Sequence, residues 1–196
     1  MVTHPGAGRE TKNKDKNTMK AINQKAAELF DACINRIPEG ETACKLDENA
    51  PDSGIMALCI ERIGANKYGT LYSFVHYYRQ NGDMMCDPDI VMLRSVNPDA
   101  LTGKHQFYPI SYRQDGLGMN REYVEFAEDG NGWRIAKRLQ ADLANFCGQW
   151  ARNITEQQHI ARIENGKMIF KNNADNQPRP AYSGTSAAEA RRDGSV

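Results

Sequence analysis

Apolar residues recur at three- and four-residue steps in two stretches of the chain, and alternate with polar ones between those stretches. Ile22, Ala26, Leu29, Phe30, Cys33 and Ile37 form one helical stripe, which Thr18 caps and Pro38 and Gly40 end. Ile135, Leu139, Leu143, Phe146, Cys147, Trp150 and Ile154 form a second, on a helix beginning near Asn131 to Trp133. The opposite face of that helix carries Arg134, Lys137, Arg138, Gln140, Gln149 and Arg152. The pattern predicts an amphipathic helix laid on a sheet.

The segment between the stripes reads as β structure. Five runs, at residues 55–63, 71–78, 90–96, 107–112 and 121–126, are rich in aromatic and β-branched side chains. Turn signals separate them: Gly64 to Gly69, Asn81-Gly82, Asn97-Pro98 and Asp115 to Gly118. No helix-length segment lies between successive runs, so parallel crossovers are excluded and an antiparallel meander follows. Pro109, inside the fourth run, marks an edge or a bulge. Residues 38–54, with their prolines, glycines and acids, read as a loop, and residues 167–170 as a short extra strand. The predicted fold is α+β: a meander sheet of about five strands with an N-terminal and a C-terminal amphipathic helix packed on it.

The ends of the chain look different. Residues 1–17 hold Arg9, Lys12, Lys14 and Lys16 against Glu10 and Asp15, with few apolar side chains, and are expected to be a disordered basic arm. Residues 171–196 are expected to be a disordered polar tail. One domain over 18–170 remains.

Composition narrows the function classes. The 25 basic and 25 acidic residues balance, so a whole-molecule polyanion binder is not implied. No apolar run approaches the ~18 residues of a membrane span, and the first residues lack the apolar core of a secretory signal. The five cysteines are widely spaced and form no Cys-x-x-Cys pair, which argues against a zinc ribbon and for buried thiols in a reducing cytosol. There is no nucleophile elbow, phosphate loop or dinucleotide fingerprint. No cofactor is expected.

Candidate chemistry concentrates in two turns. The run Asn81-Gly82-Asp83 brings three acids, Asp83, Asp87 and Asp89, close together in sequence. Asp115 sits in the second turn. Oxygen-rich, Asp-dense loops suit Mg²⁺ or Ca²⁺, but the spacing fails the EF-hand pattern. Turn chemistry accounts for the same residues: Asn81-Gly82 supplies positive φ angles, Asp83 accepts backbone N–H groups of its own turn, and Asp87-Pro88 starts a second turn. The acids are therefore not expected to converge on a metal. His76 alternates with Phe74 and Tyr78, which reads as a packed or surface histidine rather than a base or ligand. Tyrosines crowd the β region beside Arg79, Arg94, Arg113 and Arg121. They suit a stacking platform for bases, a protein interface, or simply a sheet core. The candidate binding surface is Tyr78, Asp83, Asp87, Asp89, Tyr112 and Asp115.

Two motifs carry a family resemblance. Tyr77-x-x-Gln80-Asn81-Gly82-Asp83-x-Met85-x-Asp87-Pro88-Asp89 is followed by Tyr108-Pro109-Ile110-Ser111-Tyr112-x-Gln114-Asp115-x-Leu117-Gly118. Together they resemble an uncharacterised domain family found in phage, plasmid and integrative-element proteins of bacteria. The resemblance covers about residues 55–160 and leaves the first helix outside. It implies an accessory protein of a mobile element, cytoplasmic in the host, and brings no catalytic residues. The expected function is non-enzymatic: binding a host or element-encoded protein, as a counter-defence inhibitor or adaptor. The alternatives are a nucleic-acid-binding accessory of transfer or replication, with weak binding, and a metal-dependent hydrolase or nuclease built on the Asp-rich turns.

Overall fold

Six strands run antiparallel in chain order, each hydrogen-bonded to its predecessor. They are β1 (Ala43–Leu46), β2 (Leu58–Asn66), β3 (Gly69–Gln80), β4 (Asp83–Ser95), β5 (Phe107–Gln114) and β6 (Met119–Glu122). Two short hairpins pair β7 (Val124–Phe126) with β8 (Trp133–Ile135), and β9 (Ala161–Glu164) with β10 (Lys167–Phe170). The helices are α1 (Gln24–Ile34) and α2 (Lys137–Gln157). This computed structural model describes residues 18–46, 54–157, 161–164 and 167–170. The predicted arm at 1–17 and tail at 171–196 lie outside the described residues, as does His159.

The two faces of the sheet have separate cores. Strand alternation sends Leu58 and Ile60, Tyr72 and Phe74, and Ile90 and Met92 to one face, where they are buried under α1 and α2. Phe30 of α1 sits at the centre of this layer. Its ring lies 4.7 Å from Phe74, 6.3 Å from Phe107 and 5.9 Å from Trp150 of α2. Burying such a ring contributes about 1.5–3 kcal/mol. On the other face, Leu93, Ile110 and Val124 form a smaller cluster closed by the β7–β8 hairpin. There Tyr68 stacks 5.8 Å from Phe126 and meets Trp133 edge-on at 4.9 Å. Its hydroxyl donates to the Gly130 carbonyl (3.0 Å) and accepts from the Gly132 N–H (2.8 Å), fixing the hairpin loop.

The α+β meander with two helices agrees with the sequence reading; the details differ for physical reasons. There are six strands in the main sheet rather than about five. The sixth is β1, inside the stretch read as a loop, where Cys44 and Leu46 alternate inward on four residues only. The run at 121–126 is two strands. At Tyr123 the backbone N–H bonds Ile110 of β5 while the carbonyl accepts from Ala136, so the chain leaves one sheet for the other. Trp133 to Ile135, read as the start of the second helix, is β8, and α2 begins at Lys137. Thr18 does not cap α1. Asn23 does, its side chain accepting the Ala26 N–H at 3.0 Å. Pro109 lies at a bulge between β4 and β5, not at an edge.

Candidate functional site

The β3–β4 hairpin turns on two residues. Asn81 and Gly82 both have positive φ, at 53° and 91°, as the tightest hairpin turns require. The turn therefore ends before the acids, and Asp83, Asp87 and Asp89 all stand on β4. Asp87-Pro88 starts no turn. It lies within the strand, with a cis peptide bond, where the β3–β4 register shifts between Val75 and Tyr77 opposite Asp89 and Cys86. His76 is the β3 residue at that bulge.

The bulge sends the acids to different partners. Asp87 accepts from the Gln114 carboxamide at 2.5 Å, and Tyr112 donates its hydroxyl to the other end of that carboxamide. Asp89 accepts from Ser73 at 2.7 Å. Burial raises the Asp89 carboxyl above its usual range, against the lowering by Ser73 and Arg113. Asp115 accepts from Arg113 through Nε at 2.7 Å and Nη2 at 3.1 Å, and from the Cys86 backbone N–H at 2.8 Å. The Arg113 bonds first, then the Cys86 amide, hold its carboxyl below the usual range. Asp83 is exposed, and its side chain makes no hydrogen bond among the described residues; the expected bond to its own turn is not formed. Tyr78 lies over the second turn, its hydroxyl 2.9 Å from where a Cβ on Gly116 would stand.

Of the six candidate residues, then, Tyr112 and Asp87 join through Gln114, Asp89 and Asp115 flank Arg113, Tyr78 covers Gly116, and Asp83 stands apart. Among the described residues no group of three or more His, Cys, Asp or Glu side chains is placed to hold a metal ion. Of the two positions its strand leaves open, His76 takes the packed one. It is buried, its Nδ1 lies 3.0 Å from the Ala57 carbonyl, and its ring meets Trp150 edge-on at 5.5 Å. Burial lowers its pKa. The cysteine thiols with resolved shifts are all pushed up by burial, Cys44 to about 12 and Cys86 to about 11. They are correspondingly poor nucleophiles. Most of the tyrosines serve the cores: Tyr72 is buried, and Tyr68, Tyr108, Tyr112 and Tyr123 pack on the apolar clusters, whereas Tyr77 is exposed.

One surface feature escaped the sequence reading. The buried stripe of α2 runs through Gln140, Leu143, Ala144, Cys147, Trp150, Ala151, Ile154 and Thr155. It is rotated from the apolar stripe expected. Gln140, assigned to the solvated face, is fully buried, whereas Leu139 is 55% exposed and Phe146 38% exposed. These two side chains lie about two turns apart on one flank of the helix. Phe146 meets Tyr112 of β5 edge-on at 5.7 Å. Beyond Tyr112 comes β6, the last strand of the sheet, with Arg121 opposite Tyr112 and Met119 opposite Gln114. All four β6 residues are exposed. An apolar shelf thus borders an open sheet edge. The clue in the sequence was the mixed character of α2: too many apolar residues for one narrow stripe.

The chain belongs to a family of domains of unknown function, DUF6908, which matches residues 17–160. The match takes in α1, which the resemblance had left outside. No curated protein and no solved structure matches the chain. Among the described residues no helix is long and apolar enough to cross a membrane.

Proposed function

We propose that this domain is a non-enzymatic protein-binding module, and that its partner docks on the shelf of Leu139, Phe146 and Tyr112 along the β6 edge. The observation that carries the reading is the rotation of α2, which leaves two large apolar side chains in solvent while burying a glutamine. Exposed apolar surface that adjoins unpaired strand edges is a recurring mode of protein recognition: the edge supplies main-chain hydrogen bonds and the shelf supplies pockets. The occupant is a heterologous chain that adds a strand to β6 and sets apolar side chains against Phe146. Arg121 and Tyr112 at this edge are the residue types that dominate interface energies. The separate engagement of Asp87, Asp89 and Asp115, together with the raised thiols, supports binding rather than catalysis.

The motif resemblance supports an accessory role in a bacterial mobile element, with a host or element-encoded protein as partner. The free cysteines, four of them buried, support residence in a reducing cytoplasm.

The test is affinity capture with the full chain beside Leu139→Glu/Phe146→Glu, followed by calorimetry with the purified partner. A partner bound by the parent and lost by the double variant supports the reading. Equal binding by both removes the shelf. Light scattering that finds a dimer dispersed by the same substitutions makes the occupant a second copy instead.

A further inference from the structure

A different cavity lies on the other flank of α2. Between the start of α1 and the second half of α2 runs a groove of about 660 Å³. Its charge is one-sided: among the described residues, Lys20, Lys25 and Arg152 line it against the single carboxylate of Glu156. The carboxamides of Asn23, Asn145 and Gln149 also line its walls, and the Asn145 Oδ1 accepts from the Lys20 Nζ at 2.7 Å, which holds that ammonium at the rim. Small residues, Ala26, Ala144, Gly148 and Ala151, line it, with no aromatic ring among the described lining residues. At Gly148 a Cβ would stand 2.4 Å from the Asn23 amide nitrogen, so any larger residue would make the Asn23 side chain shift. Two helices approach closely enough to form a trough, and long cationic side chains rim it.

From this groove we infer a nucleic-acid contact: the trough seats the phosphodiester backbone of a strand. The sign of the charge selects an anion, and the carboxamides offer further donors to phosphate oxygens. The absence of aromatic rings among the described lining residues removes base stacking, so the contact grips the backbone and not the sequence. This contact is independent of the shelf at Leu139 and Phe146. A chain that uses both would hold a protein partner and a nucleic acid on opposite flanks of one helix.

The experiment is fluorescence anisotropy of the full chain with labelled single-stranded DNA, RNA and duplex DNA of about 20 units. Expected is binding that weakens at least about 10-fold between about 50 and about 200 mM salt, the slope for a few neutralised phosphates. Lys20→Gln/Lys25→Gln/Arg152→Gln should lose most of the affinity and flatten the salt dependence, with its melting curve showing a folded chain. Gln149→Glu, which places a second carboxylate in the groove without removing a cation, should weaken binding in the same direction. Arg62→Gln/Arg79→Gln, distant from the groove, and Leu139→Glu/Phe146→Glu should both bind as the parent does. No binding at low salt overturns the inference. So does an equal loss in the distant Arg variant, which means diffuse attraction, and so does equal displacement by poly-glutamate, which means an acidic peptide site.

Discussion

The side chain of Gln140 holds both backbone polar groups of Lys20. Its Oε1 accepts the Lys20 N–H at 2.9 Å, and its Nε2 donates to the Lys20 carbonyl at 2.9 Å and to the Pro109 carbonyl at 3.3 Å. Gln140 is fully buried, so one carboxamide ties the segment before α1 to the first turn of α2 and to β5. Gln140→Ala leaves three backbone groups without this partner. Stability should fall by about 2–4 kcal/mol, since each buried unpaired group costs about 1–3 kcal/mol and water recovers part of it. Urea unfolding with an unchanged slope would read this as a lower midpoint.

His76 predicts a pH dependence. Its pKa in the folded chain is lowered by burial, ahead of the raising effects of the Ala57 carbonyl and the Asp87 charge. The unfolded chain therefore takes up the proton first as pH falls. The contribution of neutral His76 is complete above the ordinary histidine value of 6.5 and is lost as pH drops from there through the folded value. Thermal melts of the parent should weaken across that window. His76→Phe should flatten the curve there; an unchanged slope in that variant would assign the dependence elsewhere.

The carboxylates at Asp89 and Asp115 should respond oppositely to neutralisation. Asp89 ionises reluctantly because it is buried, so Asp89→Asn at neutral pH should leave stability unchanged or raise it, Ser73 still having an acceptor. Asp115 ionises readily because Arg113 and the Cys86 amide bond its charged form, so its contribution is present above the ordinary aspartate value of 3.8 and lost as pH falls below it. Asp115→Asn should lower the melting temperature at neutral pH. Amide exchange at Cys86 should accelerate in Asp115→Ala, where the acceptor is gone.

Gly69→Ala should be among the most damaging small substitutions. A Cβ there would stand 2.0 Å from the Arg94 carbonyl oxygen across the β3–β4 pair, so the strands must part. A loss above about 2 kcal/mol, read by chemical denaturation, is expected.

How much of this was legible from residues alone varies by element. β3 and β5 announce themselves because aromatic and β-branched side chains crowd residues 71–78 and 107–112; their polar ends, Arg79-Gln80 and Arg113-Gln114, do not. β1 did not, because four residues bracketed by glycine, proline and acids carry too little periodicity. β8 was taken for helix because Trp133 and Ile135 satisfy either period when the neighbouring stripe is helical. The acids of β4 were placed in turns because Asp-Pro favours turns locally; strand pairing on both sides overrode that preference. The deepest miss is Gln140. Its polarity assigned it to water, whereas its partners, Lys20 and Pro109, lie far away in sequence, and no local pattern reports them. The exposed Leu139 and Phe146 follow from the same rotation.

Strand order in the sheet equals order along the chain, and this bears on synthesis. Each of β2 to β6 can pair with the strand just made, so the sheet assembles from neighbouring hairpins without waiting for distant sequence. The helix-covered face is different. Phe30, Phe74 and Phe107 lack part of their cover until Trp150 arrives on α2, almost the last element of the matched domain. Until α2 has been made, only α1 is available to cover that aromatic face, which makes it the surface most exposed to misassociation before the domain is complete.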